Sequence, residues 1–302
     1  MNRKLDYEVI IIGGSYAGLS AAMSLGRSLR KVLIIDSGQP CNRFTPHSHN
    51  FLTQDGKTPA EITSKARQEV EQYETIHFHK GTAIAGKQTE SGFQIVTETN
   101  KAITAKKLIF ATGVKDQFPD IKGFSSCWGN TIVHCPYCHG YELREKKTAI
   151  LANGTKAFHL AGLVKNLTNQ VYILTNGPAD FEAKELESFQ KQDISIIATP
   201  LTAIKSNKGL ISEVIFEDHS SLPIEAVYAA LPFEQHADIP TDLGCQLSEH
   251  GYIEVDNMQK TTVSGIFACG DNSNMMRSVA NAVHTGNLAG AAANAELTFE
   301  QI

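Results

Sequence analysis

The sequence has no surplus of basic residues. Its 27 Lys and Arg stand against 32 Asp and Glu, a net charge of −5, which argues against a face built for nucleic acid or anionic lipid. No apolar run approaches the roughly 20 residues of a membrane-spanning helix. The opening residues, Met1 to Asp6, lack the apolar stretch and small-residue cleavage site of a signal peptide, so a cytoplasmic protein is expected. Cysteine is scarce, six in 302 residues. That is too few for a disulfide-built scaffold, and in a reducing compartment a close pair is catalytic or metal-binding before it is structural. What remains is 42% apolar and 20% charged, the composition of a globular enzyme, not of a disordered, collagenous or coiled-coil chain. The length suggests about two domains.

The first apolar run, Glu8 to Ile12, has strand length and enters Gly13-Gly14-Ser15-Tyr16-Ala17-Gly18. A helical pattern follows, then a second buried strand, Lys31 to Ile35, ending at Asp36. This is a βαβ unit of parallel-sheet type. Thr58-Pro59-Ala60-Glu61 predicts a helix start with capping-box spacing, running to about Tyr73. From Ile76 to Ile109 the pattern alternates, closing on Leu108-Ile-Phe-Ala-Thr-Gly113. A second strand–turn–helix–strand series begins near Lys147: Thr148 to Ala152, a turn at Asn153-Gly154-Thr155, a helix from Ala157 to Asn166, and Gln170 to Thr175. It reads as a degenerate internal duplication. The last segment returns to strand, turn and helix, with Gly265 to Asp271 preceding a small-residue helix from about Ser278 to Glu296. The expected fold is α/β: two Rossmann-like three-layer domains, the second inserted in the first. The partition is 1–117 plus 247–302, with 118–246 inserted.

Gly13-x-Ser15-x-x-Gly18 is a dinucleotide fingerprint with one departure. Its first Gly suits the tight turn and its last lets helix and strand pack closely. Ser15 replaces the middle Gly, and its hydroxyl can donate to a phosphate oxygen. The helix start at Tyr16 and Ala17 offers the oriented N–H groups an anion needs. Asp36 ends a strand eighteen residues past Gly18, where an acid accepts from a ribose hydroxyl. The bland alternative, glycines serving only helix–strand packing, explains the turn but not Asp36.

His134-Cys135-Pro136-Tyr137-Cys138-His139 is the most informative stretch. A Cys-x-x-Cys pair can close a small disulfide ring, one thiolate attacking while the other leaves. His139, with His134 second, is placed to exchange protons with departing thiolates near neutral pH. A zinc site would use the same residue types, but structural zinc wants four ligands, usually two pairs. Cys41, Cys127, Cys245 and Cys269 supply no second pair and read as buried small residues. A redox dithiol is favoured, and no metal is expected. His47, His49 and His284 read first as surface or hydrogen-bonded histidines, and Trp128 as an interdomain or interface anchor.

With the Gly13–Gly18 turn, Ala111-Thr112-Gly113-Val114, Cys135-Pro-Tyr-Cys138 and Gly265-Ile-Phe-Ala-Cys-Gly-Asp271 in that order, the chain resembles the low-molecular-weight thioredoxin reductase family of FAD-dependent disulfide oxidoreductases. The resemblance covers essentially the whole chain. It implies FAD in the first domain, held by Gly13, Ser15, Tyr16, Ala17, Gly18, Asp36, Ala111, Thr112, Gly113, Gly270, Asp271, Ser278 and Val279. It also implies a redox disulfide in the inserted domain and a homodimer. Asp271 would contact the ribityl chain, and the helix opening at Ser278 and Val279 would point at the flavin ring. Cys138 would face the flavin and Cys135 would be the interchange thiol.

Two departures shape the functional expectation. The inserted domain's turn is Ala152-Asn-Gly-Thr-Lys-Ala157 instead of Gly-x-Gly-x-x-Ala, and Thr175-Asn-Gly-Pro178 carries no Arg pair for a 2′-phosphate. His139 stands where the family usually has Asp, as in the gliotoxin- and holomycin-type dithiol oxidase branch. NADPH-independent thioredoxin reductases show similar erosion. The expectation is electron exchange between FAD and a substrate dithiol or disulfide through Cys135 and Cys138, not driven by NADPH. The substrate would be a small-molecule dithiol or a thioredoxin-like protein, with oxygen or a ferredoxin-type donor as electron partner. The alternatives are an NADPH-dependent thioredoxin-disulfide reductase and a flavin-bound redox sensor without turnover.

Overall fold

Strand β1 (Tyr7–Ile12) is a near-continuous aliphatic run because both of its faces are covered. A computed structural model describes residues 5–300. In it β1 leads through the glycine turn into α1 (Tyr16–Arg27) and then β2 (Val32–Asp36). Helix α2 (Pro59–Val70) starts where the sequence places it: Thr58 and Glu61 form the reciprocal capping box, with Pro59 at the first helical position. Strands β3 (Ile76–Lys80), β4 (Ala83–Thr89), β5 (Gly92–Thr97) and β6 (Ala102–Phe110) follow.

The chain then enters a second compact unit. Strand β7 (Ile132–Val133) leads to the one-turn helix α3 (Pro136–His139). Next come β8 (Thr148–Leu151), α4 (Gly154–Lys165), β9 (Val171–Leu174), α5 (Ala183–Lys191) and β10 (Ser195–Ile197). An antiparallel sheet of β11 (Leu201–Asn207), β12 (Leu210–Phe216) and β13 (Ser221–Pro223) precedes β14 (Ala226–Ala229). Returning to the first unit, the chain forms β15 (Ile266–Ala268) and the 21-residue helix α6 (Val279–Phe299).

Among the described residues the first unit holds 5–43, 50–115 and 234–300, and the second 44–49 and 116–233. The sequence boundary at 246/247 thus differs from the observed return at 233/234. Ile239, Leu243 and Cys245 explain the difference, since they pack into the first unit's core beside Phe93 and Ile95. The six residues Phe44–His49 group with the second unit, a crossing that no composition shift announces.

In the first unit β3, β2, β1 and β6 are parallel neighbours. The long β6 pairs antiparallel with β5 along its first half and parallel with β15 along its second. One sheet face carries α1 and α6; Val9, Ile11 and Ile34 meet Leu19, Ala22, Ala289 and Ala293 there. The second unit repeats the plan as a five-stranded parallel sheet in the order β10-β9-β8-β14-β7. Trp128 lies in that unit's own core with Phe124 and Ile132, so its burial is accounted for without the interdomain anchor expected of it. No helix among the described residues is long and apolar enough to cross a membrane.

Candidate active site

Two arrangements carry chemistry, one in each unit. In the first, β1 ends at Gly13, whose φ of +103° suits a residue without a side chain. A Cβ there would run into the Ala111 carbonyl, and one at Gly18 into the carbonyl of Gly13. Gly14 N donates to Asp36 Oδ1 at 3.0 Å, which fixes the acid at the strand end and leaves Oδ2 for another donor. Ser15 is the N-cap of α1, yet its hydroxyl makes no cap hydrogen bond. The Tyr16 phenol is spent inside the protein, against the Pro59 carbonyl at 3.4 Å and the Asn42 amide at 3.0 Å. Only the backbone of Tyr16 is therefore available to a ligand.

Helix α6 lies parallel to α1 at the distance small residues permit. Ser20 Oγ donates to the Val283 carbonyl at 2.7 Å, and a Cβ at Gly286 would strike the backbone of Ala17. Ser278 caps α6, its Oγ accepting from Asn281 N at 3.1 Å. Gly270 N donates to Thr285 Oγ1 at 3.0 Å, and the Arg277 guanidinium stands 3.8 Å from Asp271. Asn272, fully buried, donates to the Phe110 carbonyl at 2.9 Å and to Thr112 Oγ1 at 3.2 Å, tying together the ends of β6 and β15. Asn272 directly follows Asp271 in the chain, yet its residue type alone does not mark it as part of a site.

A dinucleotide fits this cradle. The glycines leave no side chain where a pyrophosphate must approach backbone, and the Ser15 hydroxyl is uncommitted. Asn42 Oδ1 and Asn272 Oδ1 are buried without partners, an arrangement that a polar ligand or water would relieve. Cys41, expected to be buried, is instead half-buried with its sulfur 3.4 Å from Arg277 Nη2. Burial pushes the Cys245 thiol up and the Cys269 thiol up to about 12, so both are inert.

In the second unit Cys135 and Cys138 are joined as a disulfide across the single turn of α3, their Cα atoms 5.3 Å apart. Cys135 is the helix N-cap and its Sγ accepts from Cys138 N at 3.1 Å. Pro136 occupies the first helical position, where a missing N–H costs nothing. The His134 ring stacks on Trp128 at 6.1 Å between centroids. His139 sits at the end of α3 with both ring nitrogens buried and without hydrogen-bond partners. Burial pushes its imidazole below the ordinary value. The nearby Cys135 carbonyl and the Glu142 carboxylate pull the other way, and His49 adds to the fall. The group is therefore a neutral imidazole near pH 7, able to take a proton.

Three residues absent from the sequence-derived site gather here. His49 Nε2 lies 3.7 Å from Glu142 Oε1. The Tyr228 hydroxyl, on β14, is buried without a partner, and burial together with the Glu142 charge pushes its pKa far up. His49 lies ninety residues from His139 in sequence, a separation no spacing rule bridges.

The second nucleotide-type turn is closed by the protein's own groups. Asn153 caps α4, its Oδ1 accepting from Gly154 N at 2.9 Å and from Asp180 N at 2.9 Å. Its amide donates to the Pro178 carbonyl at 2.8 Å. Thr175 Oγ1 donates to the Gly177 carbonyl at 2.6 Å, folding the following turn on itself.

The family model for pyridine nucleotide-disulphide oxidoreductases matches residues 7–286. Among curated proteins, the chain is 32% identical over 310 residues to thioredoxin reductase tcpT of Claviceps purpurea, covering 96% of this chain and 94% of that one. It is 30% identical over 307 residues to thioredoxin reductase aclD of Aspergillus oryzae, covering 98% of each. Among solved structures, an oxidoreductase from Agrobacterium tumefaciens superposes with a TM-score of 0.91 at 37% identity, covering 98% of this chain and 99% of that one. With its glycine cradle and its redox disulfide, the chain belongs to the pyridine nucleotide-disulphide oxidoreductase family, as a thioredoxin reductase-like, FAD-dependent disulfide oxidoreductase.

Proposed function

We propose that the protein oxidises a substrate dithiol, carried by a small molecule or a thioredoxin-like protein, and that NADPH does not drive it. The observation that carries this reading is the N-terminus of α4. Anion-binding helix starts keep their N–H groups free for phosphate. Here Asn153 takes Gly154 N, the Asp180 backbone closes onto the same side chain, and the turn from Thr175 to Asp180 offers no cation. A 2′-phosphate would find no guanidinium fork and one nearby carboxylate.

In the chemistry this implies, a substrate S–H gives its proton to the neutral His139 imidazole. The resulting thiolate attacks Cys135 Sγ, forming a substrate–Cys135 disulfide while the Cys135–Cys138 bond pair leaves as the Cys138 thiolate. The second substrate thiol gives its proton to the Cys138 thiolate and attacks the substrate sulfur of the mixed disulfide, and Cys135 leaves as the thiolate. Product disulfide departs, leaving the Cys135–Cys138 pair reduced by two electrons. The Cys138 N–H aimed at Cys135 Sγ stabilises negative charge on that sulfur. The Gly13–Gly18 turn, Asp36, the Ala111–Gly113 turn, Gly270, Asp271 and the start of α6 would hold FAD, which when bound would supply a two-electron acceptor for the reduced pair. Oxygen is the onward acceptor in this direction. The working form in this reading is a cytoplasmic homodimer.

Anaerobic stopped-flow absorbance tests the proposal. A dithiol should bleach the flavin quickly and saturably, and admitted air should restore it. NADPH should bleach it slowly or only at high concentration. Fast, saturable bleaching by micromolar NADPH would return first place to an NADPH-dependent thioredoxin reductase.

A further inference from the structure

We infer that Glu142, seated by His49, is the positioning residue that makes His139 an effective base in the dithiol reaction. The inference rests on the reading above, in which His139 takes the substrate proton, and adds the group that makes this step affordable.

Taking a proton turns His139 into a cation in a site where both of its nitrogens are shielded from water and only the neutral Cys135 carbonyl stands beside the ring. Such a charge is expensive unless a counter-charge stands nearby. Glu142 is that counter-charge. The turn continues past α3, with Leu143 N donating to the His139 carbonyl at 3.1 Å, so Glu142 follows His139 at helical i+3 spacing. Its carboxylate pulls the imidazole toward the protonated form, against burial. The same carboxylate acts on Tyr228, whose buried hydroxyl stays protonated. Glu142 is two-fifths exposed and would be free to swing outward, but His49 holds it from the crossing segment 44–49.

The remaining charged groups around α3 do not compete for this role. Helix α4, packed beside it, buries Ala157, Ala161 and Val164 and exposes Lys156 and His159. Arg144 lies over the exposed Tyr141 ring at 4.1 Å. From the crossing segment, the His47 and His49 rings stand 6.5 Å apart and His49 opposes protonation of His139, while Tyr228 is the one titratable residue of β14. Glu142 is thus the carboxylate acting on His139.

The test is the pH dependence of anaerobic flavin bleaching by dithiothreitol in the FAD-loaded protein, for wild type, Glu142→Gln, Glu142→Asp and His49→Asn. Removing the negative charge should move the acidic limb of the profile down by about half to one pH unit. It should also lower the limiting rate about three- to tenfold, because a weaker base accepts the proton less readily. Glu142→Asp should recover part of both changes. His49→Asn removes both the seat of Glu142 and a charge that itself lowers His139, so it should shift the limb less than Glu142→Gln, and in the Glu142→Gln background it should move the limb no further down. A purely structural role would lower the melting temperature and leave the limb in place. A second measurement, titration of the His139 ring by NMR in the oxidised protein, needs no turnover and should show the same downward move in Glu142→Gln. An unmoved limb and an unmoved His139 titration would overturn the inference while leaving dithiol oxidation intact. Failure of the wild type to be bleached by dithiol would instead remove the proposed function, and the NMR titration would still decide whether Glu142 sets His139.

Discussion

Two glycine-to-alanine changes, one in each unit, should move stability in opposite directions for the same added methyl. In an ideal exposed helix, replacing Gly by Ala stabilises by about 0.5–1 kcal/mol, because the unfolded chain loses freedom. Gly162 in α4 is such a site: a Cβ there meets nothing within 4 Å. Gly286 in α6 is not. Its Cβ would strike the Ala17 carbonyl oxygen and stand 2.8 Å from the carbonyl carbon and 2.9 Å from Cα. Backbone cannot rotate aside as a side chain can, so α6 must lift off α1. Overpacking costs about 1–3 kcal/mol, and a backbone collision belongs at the upper end. Subtracting the helix gain from that upper end leaves Gly286→Ala destabilised by about 2 kcal/mol. At about 2–4 °C per kcal/mol, its unit should melt several degrees lower, whereas Gly162→Ala should melt at the wild-type temperature or slightly above. The displaced helix also carries Ser278 and packs on the turn at Ala17, so Gly286→Ala should purify with less FAD and regain part of its melting temperature on FAD addition. Calorimetry with flavin absorbance measures both. An unchanged melting point and full flavin content in Gly286→Ala would refute the close-packing argument, as would a destabilised Gly162→Ala.

Other expectations follow from the same geometry. Cys138→Ser should retain FAD, since the disulfide belongs to the other unit, yet abolish electron passage from dithiol to flavin; Cys135→Ser should do the same at the substrate step, and wild-type turnover in either would sink the assigned pair. Glu296, partly buried, is raised by burial but held below the usual carboxylate range by its bonds to Lys107 and Lys260. An acid depressed in the folded state contributes stability above its unfolded value near 4.5 and loses it as pH falls through the folded one. Glu296→Gln should therefore cost about 2 kcal/mol at pH 7 and lose less than wild type on acidification below about pH 4.5, as read from melting temperatures.

Much of the fold was legible because its signals are local. A fully aliphatic strand, a glycine turn and an acid eighteen residues on are consequences of a chain passing once through a parallel sheet. The capping box at Thr58 and Glu61 reads from four adjacent letters and forms as read. The antiparallel strands β11 to β13 were not resolved from the sequence, because short strands with half-exposed faces carry a weak period. The return to the first unit was placed thirteen residues late, since Ile239 and Leu243 look like any apolar residues until their packing partners are known.

The order of residues along the chain already sets the chemistry on offer: a dinucleotide turn, a cysteine pair closing over a single helical turn, a histidine beside it, and a second nucleotide turn lacking its first glycine and the Arg pair after the next strand. Each is a matter of residue type and spacing within one short stretch, where backbone geometry leaves few alternatives. Tertiary structure alone decided what surrounds those groups. It brings His49 to Glu142 from ninety residues before His139, turns the Tyr16 phenol away from the cradle, and closes Asn153 over the start of α4. Those outcomes depend on contacts between segments far apart in the chain, and on how much water burial removes, which no local pattern of residues encodes.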